Sequence, residues 1–221
     1  MIMTEKPMDK QKQIEYFEGL LAQHGLNFKA LDWNSSESQK LRFQIFEELF
    51  LYGFKRVNLS LLDVGSGLGD LFGYLKNERL LETRKISYTG YDIAAKLVVA
   101  AKQQYPDGNF SVVDVLEQKE LPRFDYVFAS GIFNMRTTDK ETHLDYVRQM
   151  LTRFFELANC GVAVNFLSEA VIPYCDKDDY NSGRYFFFNQ EDVLKMSRSI
   201  ASRYIFRHDY HPGDFSVYLI K

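Results

Sequence analysis

The sequence predicts an α/β fold: a doubly wound, mostly parallel sheet with helices on both faces and a helical cap at its N-terminal end. Three observations predict it. About fifty residues of helical periodicity precede the first strand-like run, strand and helix patterns alternate from Leu59 onward, and the chain closes on two β-rich runs split by a "HPGD" turn. Alternation of this kind implies parallel strands covered on both faces, and the closing pair adds one antiparallel strand.

Each element has its own signal. In the first helix, residues 9–24, Asp9 is the cap, Ile14, Phe17, Leu20 and Leu21 recur at helical spacing, and Gly25 is the stop. The second begins after Trp33: Ser36 and Gln39 have capping-box spacing, Leu41, Ile45, Phe46, Leu49 and Phe50 build a broad apolar face, and Gly53 ends it. "LSLLDV" is a buried strand, followed by helix over residues 69–82. "KISYTGYD" is a strand ending at Asp92, and "AAKLVVAAKQQY" is a helix halted by Pro106. "FSVVDV" and "FDYVFAS" are the next two strands, with Asp114 and Ser130 at their ends. A long helix over residues 139–158 is opened by Thr138 or Asp139, and "GVAVNFL" is the fifth strand. Asn189 caps the helix in "NQEDVLKMSRSIASRY", and "YIFRHDY" pairs with "FSVYLIK". Residues 168–188 show no periodicity, and a segment this long in a compact domain is a lid or a disordered patch.

Bulk properties narrow the function. A formal net charge of −3 argues against generic phosphate-backbone binding, which needs a basic face. Cys160 and Cys175 make neither a zinc spacing nor a C-x-x-C pair, so no metal is expected, and free thiols suit a reducing, cytoplasmic setting. "MIMTEKPMDKQKQ" lacks the apolar centre of a leader, and no run approaches the ~18 apolar residues of a membrane span. The length fits a single domain.

The chemistry starts at "LLDVGSGLGD", where Gly65, Gly67 and Gly69 alternate after a strand. A glycine-rich turn between strand and helix presents backbone N–H groups to a cleft and lets a ligand approach the main chain. A dinucleotide fingerprint would need its third glycine at position 70, which is Asp70, and no Gly-Lys-Ser/Thr follows for a Walker loop. The ligand therefore carries no phosphate beside this turn. Asp63, Asp92 and Asp114 fall on three successive strand ends at one sheet edge, where open α/β sheets bind ligands. Asp92 can accept from ribose hydroxyls, Asp114 from an adenine amino group beside the Val115 N–H, and Asp63 can hold the turn or a ligand ammonium.

Through "LLDVGSGLGD", "YTGYDIA", "FSVVDVLE" and "FDYVFASGIFN", in that order, the chain resembles the class I S-adenosylmethionine-dependent methyltransferases over residues 57–167, and the likeness extends through the closing hairpin to Lys221. The resemblance implies a Rossmann-like seven-stranded sheet whose last strand is antiparallel, inserted between two parallel neighbours. It implies a cap over residues 1–56, a cofactor-binding core over 57–167, a substrate lid over 168–188 and a closing helix and hairpin over 189–221. S-adenosyl-L-methionine is the implied cofactor: Gly65, Ser66 and Gly67 line its methionine and ribose part, Asp92 binds the ribose, Ile93 packs on adenine, Asp114 and Val115 hold the adenine edge, and Ser130 lies near the sulfonium. Arg42 either reaches the methionine carboxylate or sits on a solvated helix face.

The fourth strand end limits the acceptor. "ASGIFN" lacks the Asp/Asn-Pro-Pro-aromatic pattern of enzymes that methylate amino groups of adenine or glutamine. "IPYC" puts Tyr174 between proline and cysteine, against a cytosine C5 nucleophile, and Ser130, Gly131 and Asn134 supply no metal-binding carboxylates. A small-molecule acceptor remains, with Phe133, Asn134, Tyr174 and Tyr185 as substrate-side candidates. Phe186–Phe188 either wall that site or begin a covered element. His208 and His211 offer a base or are plain turn residues. A protein or tRNA acceptor, a non-catalytic cofactor-binding homologue and an NAD-dependent oxidoreductase are the alternatives.

Overall fold

The computed structural model describes residues 9–136 and 138–221; most of the N-terminal stretch judged above to lack a leader's apolar centre lies outside them. In chain order the elements are α1 (Lys10–His24), a 3-10 turn (Phe28–Leu31), α2 (Ser36–Glu47), α3 (Leu49–Tyr52), β1 (Ser60–Val64), α4 (Asp70–Asn77), α5 (Leu80–Thr83), β2 (Ser87–Asp92), α6 (Ala95–Gln104), β3 (Phe110–Val112) and β4 (Phe124–Ala129). They continue as α7 (Lys140–Leu157), β5 (Ala158–Leu167), a 3-10 turn (Glu169–Tyr174), α8 (Lys177–Asn181), α9 (Gln190–Ile200), β6 (Arg203–Arg207) and β7 (Asp214–Ile220).

The seven strands form one sheet in the order β3-β2-β1-β4-β5-β7-β6. β1 to β5 pair in parallel, and β7 runs antiparallel to β5 on one side and β6 on the other. The chain steps outward from β1 to β3 and then returns to lay β4 against β1, so the strand order reverses between β1 and β4. Crevices for ligands open at the carboxyl ends of strands flanking such a reversal.

The alternation of side chains along each strand builds a core on each face. Leu62, Val64, Val127 and Val164 pack with α7 and α9 on one face, and Leu61, Tyr126, Phe128 and Ala163 pack with α2, α3 and α4 on the other. β4 is buried along its whole length, and apart from Asp125 it reads as an apolar run. α1 and the turn after it lie on α6 through Ile14, Phe17, Leu21 and Leu31, and this cap overhangs the carboxyl edge of the sheet.

Several boundaries differ from the sequence reading. Ser35, not Ser36, caps α2, its hydroxyl accepting from the Ser38 N–H at 3.0 Å. That helix breaks at Glu48 and resumes as the single turn α3 before Gly53. The helix expected over residues 69–82 divides at Arg79, which adopts a left-handed conformation with φ 58°. Asp139 rather than Thr138 caps α7, accepting from the Thr142 N–H at 3.0 Å. β3 stops at Val112, so Asp114 stands beyond the strand in a turn of its own, accepting from the Leu116 N–H at 2.9 Å. The aperiodic segment 168–188 carries two short helical turns and is tied to the body by bridges Met135–Tyr185 and Ser168–Phe188.

Candidate functional site

The glycine turn is pinned to the end of β2. The N–H groups of Gly65 and Ser66 both donate to the Tyr91 carbonyl, at 2.7 and 3.0 Å. Gly67 N–H donates to Asp92 Oδ2 and Ala94 N–H to Asp92 Oδ1, each at 2.8 Å. One carboxylate thus ties two strand-end turns together, and each of its oxygens keeps a second lone pair for a ligand. Burial raises the Asp92 carboxyl above its ordinary value, and the backbone donors of Ala94, Gly67 and Ile93 oppose that rise. Gly65 has φ +73°, and a Cβ there would stand 2.3 Å from Ile132 Cγ2; side chains are excluded by conformation and by space.

These turns face a cavity of ≈ 430 Å³. Gly65 and Gly67 line its floor, Asp92 and Ile93 one side, Asp114 and Val115 the far end, and Ser130 the edge of β4. The Ser130 hydroxyl is buried and makes no hydrogen bond among the described residues. Asp114 is already engaged: its Oδ2 meets Lys10 Nζ of α1 at 2.5 Å, so a ligand amino group there must share that oxygen.

Two expected cofactor contacts are corrected. Asp63 does not line the cavity. It lies within β1, 3% exposed, where its Oδ2 accepts from the Tyr88 hydroxyl at 2.6 Å. Burial pushes its carboxyl up to about 7, the Tyr88 hydroxyl opposing and the Asp92 and Asp70 charges adding. Ser66 contributes backbone to the turn, but its side chain packs under it beside Gly90 rather than facing the cavity.

Arg42 is also corrected: it sits on no solvated face. It is 4% exposed, lines the cavity, and donates from Nε to the fully buried Asp214 at 2.8 Å and from Nη1 to the Ser38 carbonyl at 2.6 Å. Its guanidinium lies 4.8 Å from the Trp33 ring centroid, and Nη2 has no hydrogen bond among the described residues.

Residues 62–159 match the family model of a methyltransferase domain. The fold is shared with the magnesium protoporphyrin IX methyltransferase of Synechocystis PCC 6803 with bound SAH, at TM-score 0.63 and 14% identity, covering 95% of this chain and 94% of that one. It is shared with the plantazolicin methyltransferase BpumL in complex with SAH, at TM-score 0.64 and 16% identity over 96% of this chain and 98% of that one. A TehB-like SAM-dependent methyltransferase from Corynebacterium glutamicum aligns at TM-score 0.53 and 15% identity, over 96% and 97% of the two chains. No curated protein matches this chain in sequence. Residues 62–159 thus match a methyltransferase domain, and the chain has the class I, Rossmann-like fold of these structural neighbours.

Enzymes of this class take the methyl group from S-adenosylmethionine. The part of the cavity beyond Ser130 is walled by Trp33, Ile132, Leu167, Val171 and Phe187. Of the substrate-side candidates, Asn134 and Tyr185 line it. Phe133 does not: it is fully buried, stacked on Phe166 at 5.6 Å between centroids, because α7 and β5 close over it. Tyr174 does not either; it is 85% exposed on its helical turn. The Phe186–Phe188 alternatives both hold, by strand-like alternation: Phe187 faces the cavity while Phe186 and Phe188 enter the core. His143 secures that segment from below, its ring stacked on Phe186 at 4.1 Å.

Of the two histidines, only His211 lines the cavity. His208 is tied up elsewhere, facing Gln190 through Nδ1 and the Pro212 carbonyl through Nε2. Sequence reasoning missed Lys10, Tyr146 and Asn165. Tyr146 lines the cavity four residues before Met150 on the same face of α7, and in sequence both read as core. Asn165 interrupts an otherwise apolar strand, a signal that was available. Its Oδ1 accepts from the Gly131 N–H at 2.8 Å and its Nδ2 donates to Asp214 at 3.0 Å, fixing the backbone after β4. No helix among the described residues is long and apolar enough to cross a membrane.

Proposed function

We propose that this chain transfers a methyl group from S-adenosylmethionine to a small-molecule acceptor, with residues 168–188 as the substrate-side wall. The observation that carries the reading is the Asp92 carboxylate bridging the Gly67 and Ala94 N–H groups in the wall of the cavity. The residues fit the cofactor: the glycine turn leaves a cradle that a Cβ would fill, and the orphaned Ser130 hydroxyl points to a missing polar partner. Asp92 would hold the ribose hydroxyls, Ile93 and Val115 would flank the adenine, and Arg42 Nη2 would take the methionine carboxylate.

The sulfonium supplies an already activated methyl group. The protein's work is then alignment and exclusion of water, which are worth ~7–11 kcal/mol for well-placed reactants. Asp70 at the start of α4, held by Gln39 Nε2 at 2.9 Å, puts a carboxylate where a pyrophosphate would lie and disfavours a dinucleotide. Magnesium protoporphyrin IX and plantazolicin, named for the two neighbours above, favour a small acceptor over tRNA or folded protein.

Calorimetric titration with SAH tests the reading. Asp92→Ala removes two charge-assisted hydrogen bonds of ~1.5–3 kcal/mol each, so affinity should fall by roughly a hundredfold or more. Equal binding by parent and variant would overturn it. Labelled S-adenosylmethionine incubated with a metabolite extract separates an active enzyme from a binding protein that lacks transfer.

A further inference from the structure

Two side chains of the acceptor chamber are pinned from behind by backbone N–H groups. Leu167 N–H donates to Asn134 Oδ1 at 3.2 Å, and Gly213 N–H donates to His211 Nδ1 at 3.1 Å. An amide whose oxygen is taken turns its Nδ2 hydrogens to the cavity. A neutral imidazole whose Nδ1 lone pair is taken carries its proton on Nε2. Burial and the Arg42 guanidinium lower the His211 pKa and favour that neutral form, while the Asp214 charge opposes them. Both residues flank one strand end: Leu167 closes β5, and the Gly213 carbonyl accepts from the neighbouring Ser168 N–H at 3.0 Å.

Three further polar side chains of the lining are held by partners of their own. Asp32 Oδ2 accepts from the Tyr16 hydroxyl at 3.0 Å and pairs with Arg184 at 3.8 Å. Asp176 Oδ1 accepts from the Asp178 N–H at 2.8 Å, and the Tyr185 hydroxyl accepts from Arg184 Nη2 at 2.6 Å. What Asn134 and His211 show the cavity is therefore N–H, set in an apolar wall. His211 could take a proton only by losing its bond from Gly213.

Resting on the methyltransferase reading, we propose that the acceptor is a small apolar carboxylic acid, held through its carboxylate by Asn134 Nδ2 and His211 Nε2 and converted to its methyl ester. An alcohol, phenol or ammonium must lose a proton on methylation, and at the end of β5 Asn134 and His211 present donors rather than a base. A carboxylate is ionised at neutral pH and has no proton to lose. One of its oxygens forms the new O–CH3 bond, the S–CH3 bond breaks with its electron pair left on sulfur, and the ester and S-adenosylhomocysteine leave as neutral thioether chemistry requires, with no proton released. His211 and Asn134 are binding groups in this scheme, not bases.

The test uses the full chain and [methyl-3H]S-adenosylmethionine with a deproteinised metabolite extract, and with a panel of benzoic, phenylacetic, cinnamic and medium-chain fatty acids beside their primary amides. Methyl esters release volatile labelled methanol in alkali. The expected result is alkali-volatile label from acids and none from amides, with kcat/KM flat from about pH 6 to about pH 8, where an unperturbed histidine base would titrate. Asn134→Asp keeps an oxygen for Leu167 and turns a second one on the substrate. It should raise KM, and weaken acid binding to the SAH-loaded protein, at least tenfold with SAH affinity unchanged. His211→Gln, which can place an N–H near Nε2, should keep most of kcat, whereas His211→Phe should raise KM. Alkali-stable labelled product, loss of kcat in His211→Gln, or no product while SAH binds would each overturn the carboxylate proposal and leave the cofactor reading standing. Failure of SAH to bind would overturn the reading beneath it.

Discussion

Arg42→Met is the substitution whose consequence the structure defines most sharply. Arg42 and Asp214 form an ion pair with side-chain exposures of 4% and 0%. Methionine fills much the same volume but leaves Asp214 with only the Tyr210 hydroxyl and Asn165 Nδ2. Breaking a buried pair by removing one partner is worth ~3–5 kcal/mol, because the remaining charge stays buried. For a chain of this size that corresponds to a fall in Tm of roughly 6–20 °C, at ~2–4 °C per kcal/mol.

The loss should also depend on pH. Burial already raises the Asp214 carboxyl, and Arg42 is the largest influence holding it down. Without Arg42 the folded protein binds the Asp214 proton still more tightly than the unfolded chain does. Stability then falls as pH rises above the ordinary carboxylate range, and the deficit against the parent widens with pH. Urea unfolding at about pH 5 and about pH 8, with unchanged m-values, measures both effects. Arg42→Met/Asp214→Asn should recover much of the loss at the higher pH, since an amide keeps hydrogen bonds without a stranded charge. A single variant within ~1 kcal/mol of the parent at the higher pH, or a double variant no better than the single, would refute the argument.

Two further outcomes follow from the turns. Gly65→Ala forces a left-handed backbone, at φ +73°, on a residue with a Cβ 2.3 Å from Ile132 Cγ2; it should lower stability by ~1–3 kcal/mol and abolish SAH binding at micromolar concentration, read by thermal shift and calorimetry. Asp63→Asn should stabilise the chain increasingly as pH rises from about 4 to about 7 and then level off. The folded-state carboxyl is raised to about 7, so the parent loses stability through that window, by at most ~4 kcal/mol. A variant that loses ground against the parent at the higher pH, in paired urea melts, would show that the ionised Asp63–Tyr88 contact outweighs the burial penalty.

The elements of the sheet were legible because each has a local cause. β1 and β4 are apolar runs long enough for a strand, Asp139 and Asn189 are capping residues, and Gly65 and Gly67 sit where positive φ is needed. The cavity-lining positions of Asp92, Ile93 and Val115 were legible for the same reason, since a strand end followed by a helix or turn is itself a local pattern. Phe133 and Tyr174 misled because aromatic character does not say which way a side chain turns: one is core and the other is in solvent.

The sequence by itself determined the alternation of elements, the glycine turn, the acids at successive strand ends and hence the methyltransferase fold, because those depend on backbone conformation and on periodicity within a few residues. Only the tertiary structure decided the rest. It alone joins Arg42 to Asp214 across 172 positions and Lys10 to Asp114 across 104, and separates His211 in the cavity from His208 outside it. It alone gives the Asn134 amide its direction, because the backbone N–H that takes its oxygen belongs to Leu167 on β5, 33 positions away. A charge is paired or stranded, and an amide donates or accepts, according to neighbours distant in sequence, and such neighbours exist only once the chain is folded.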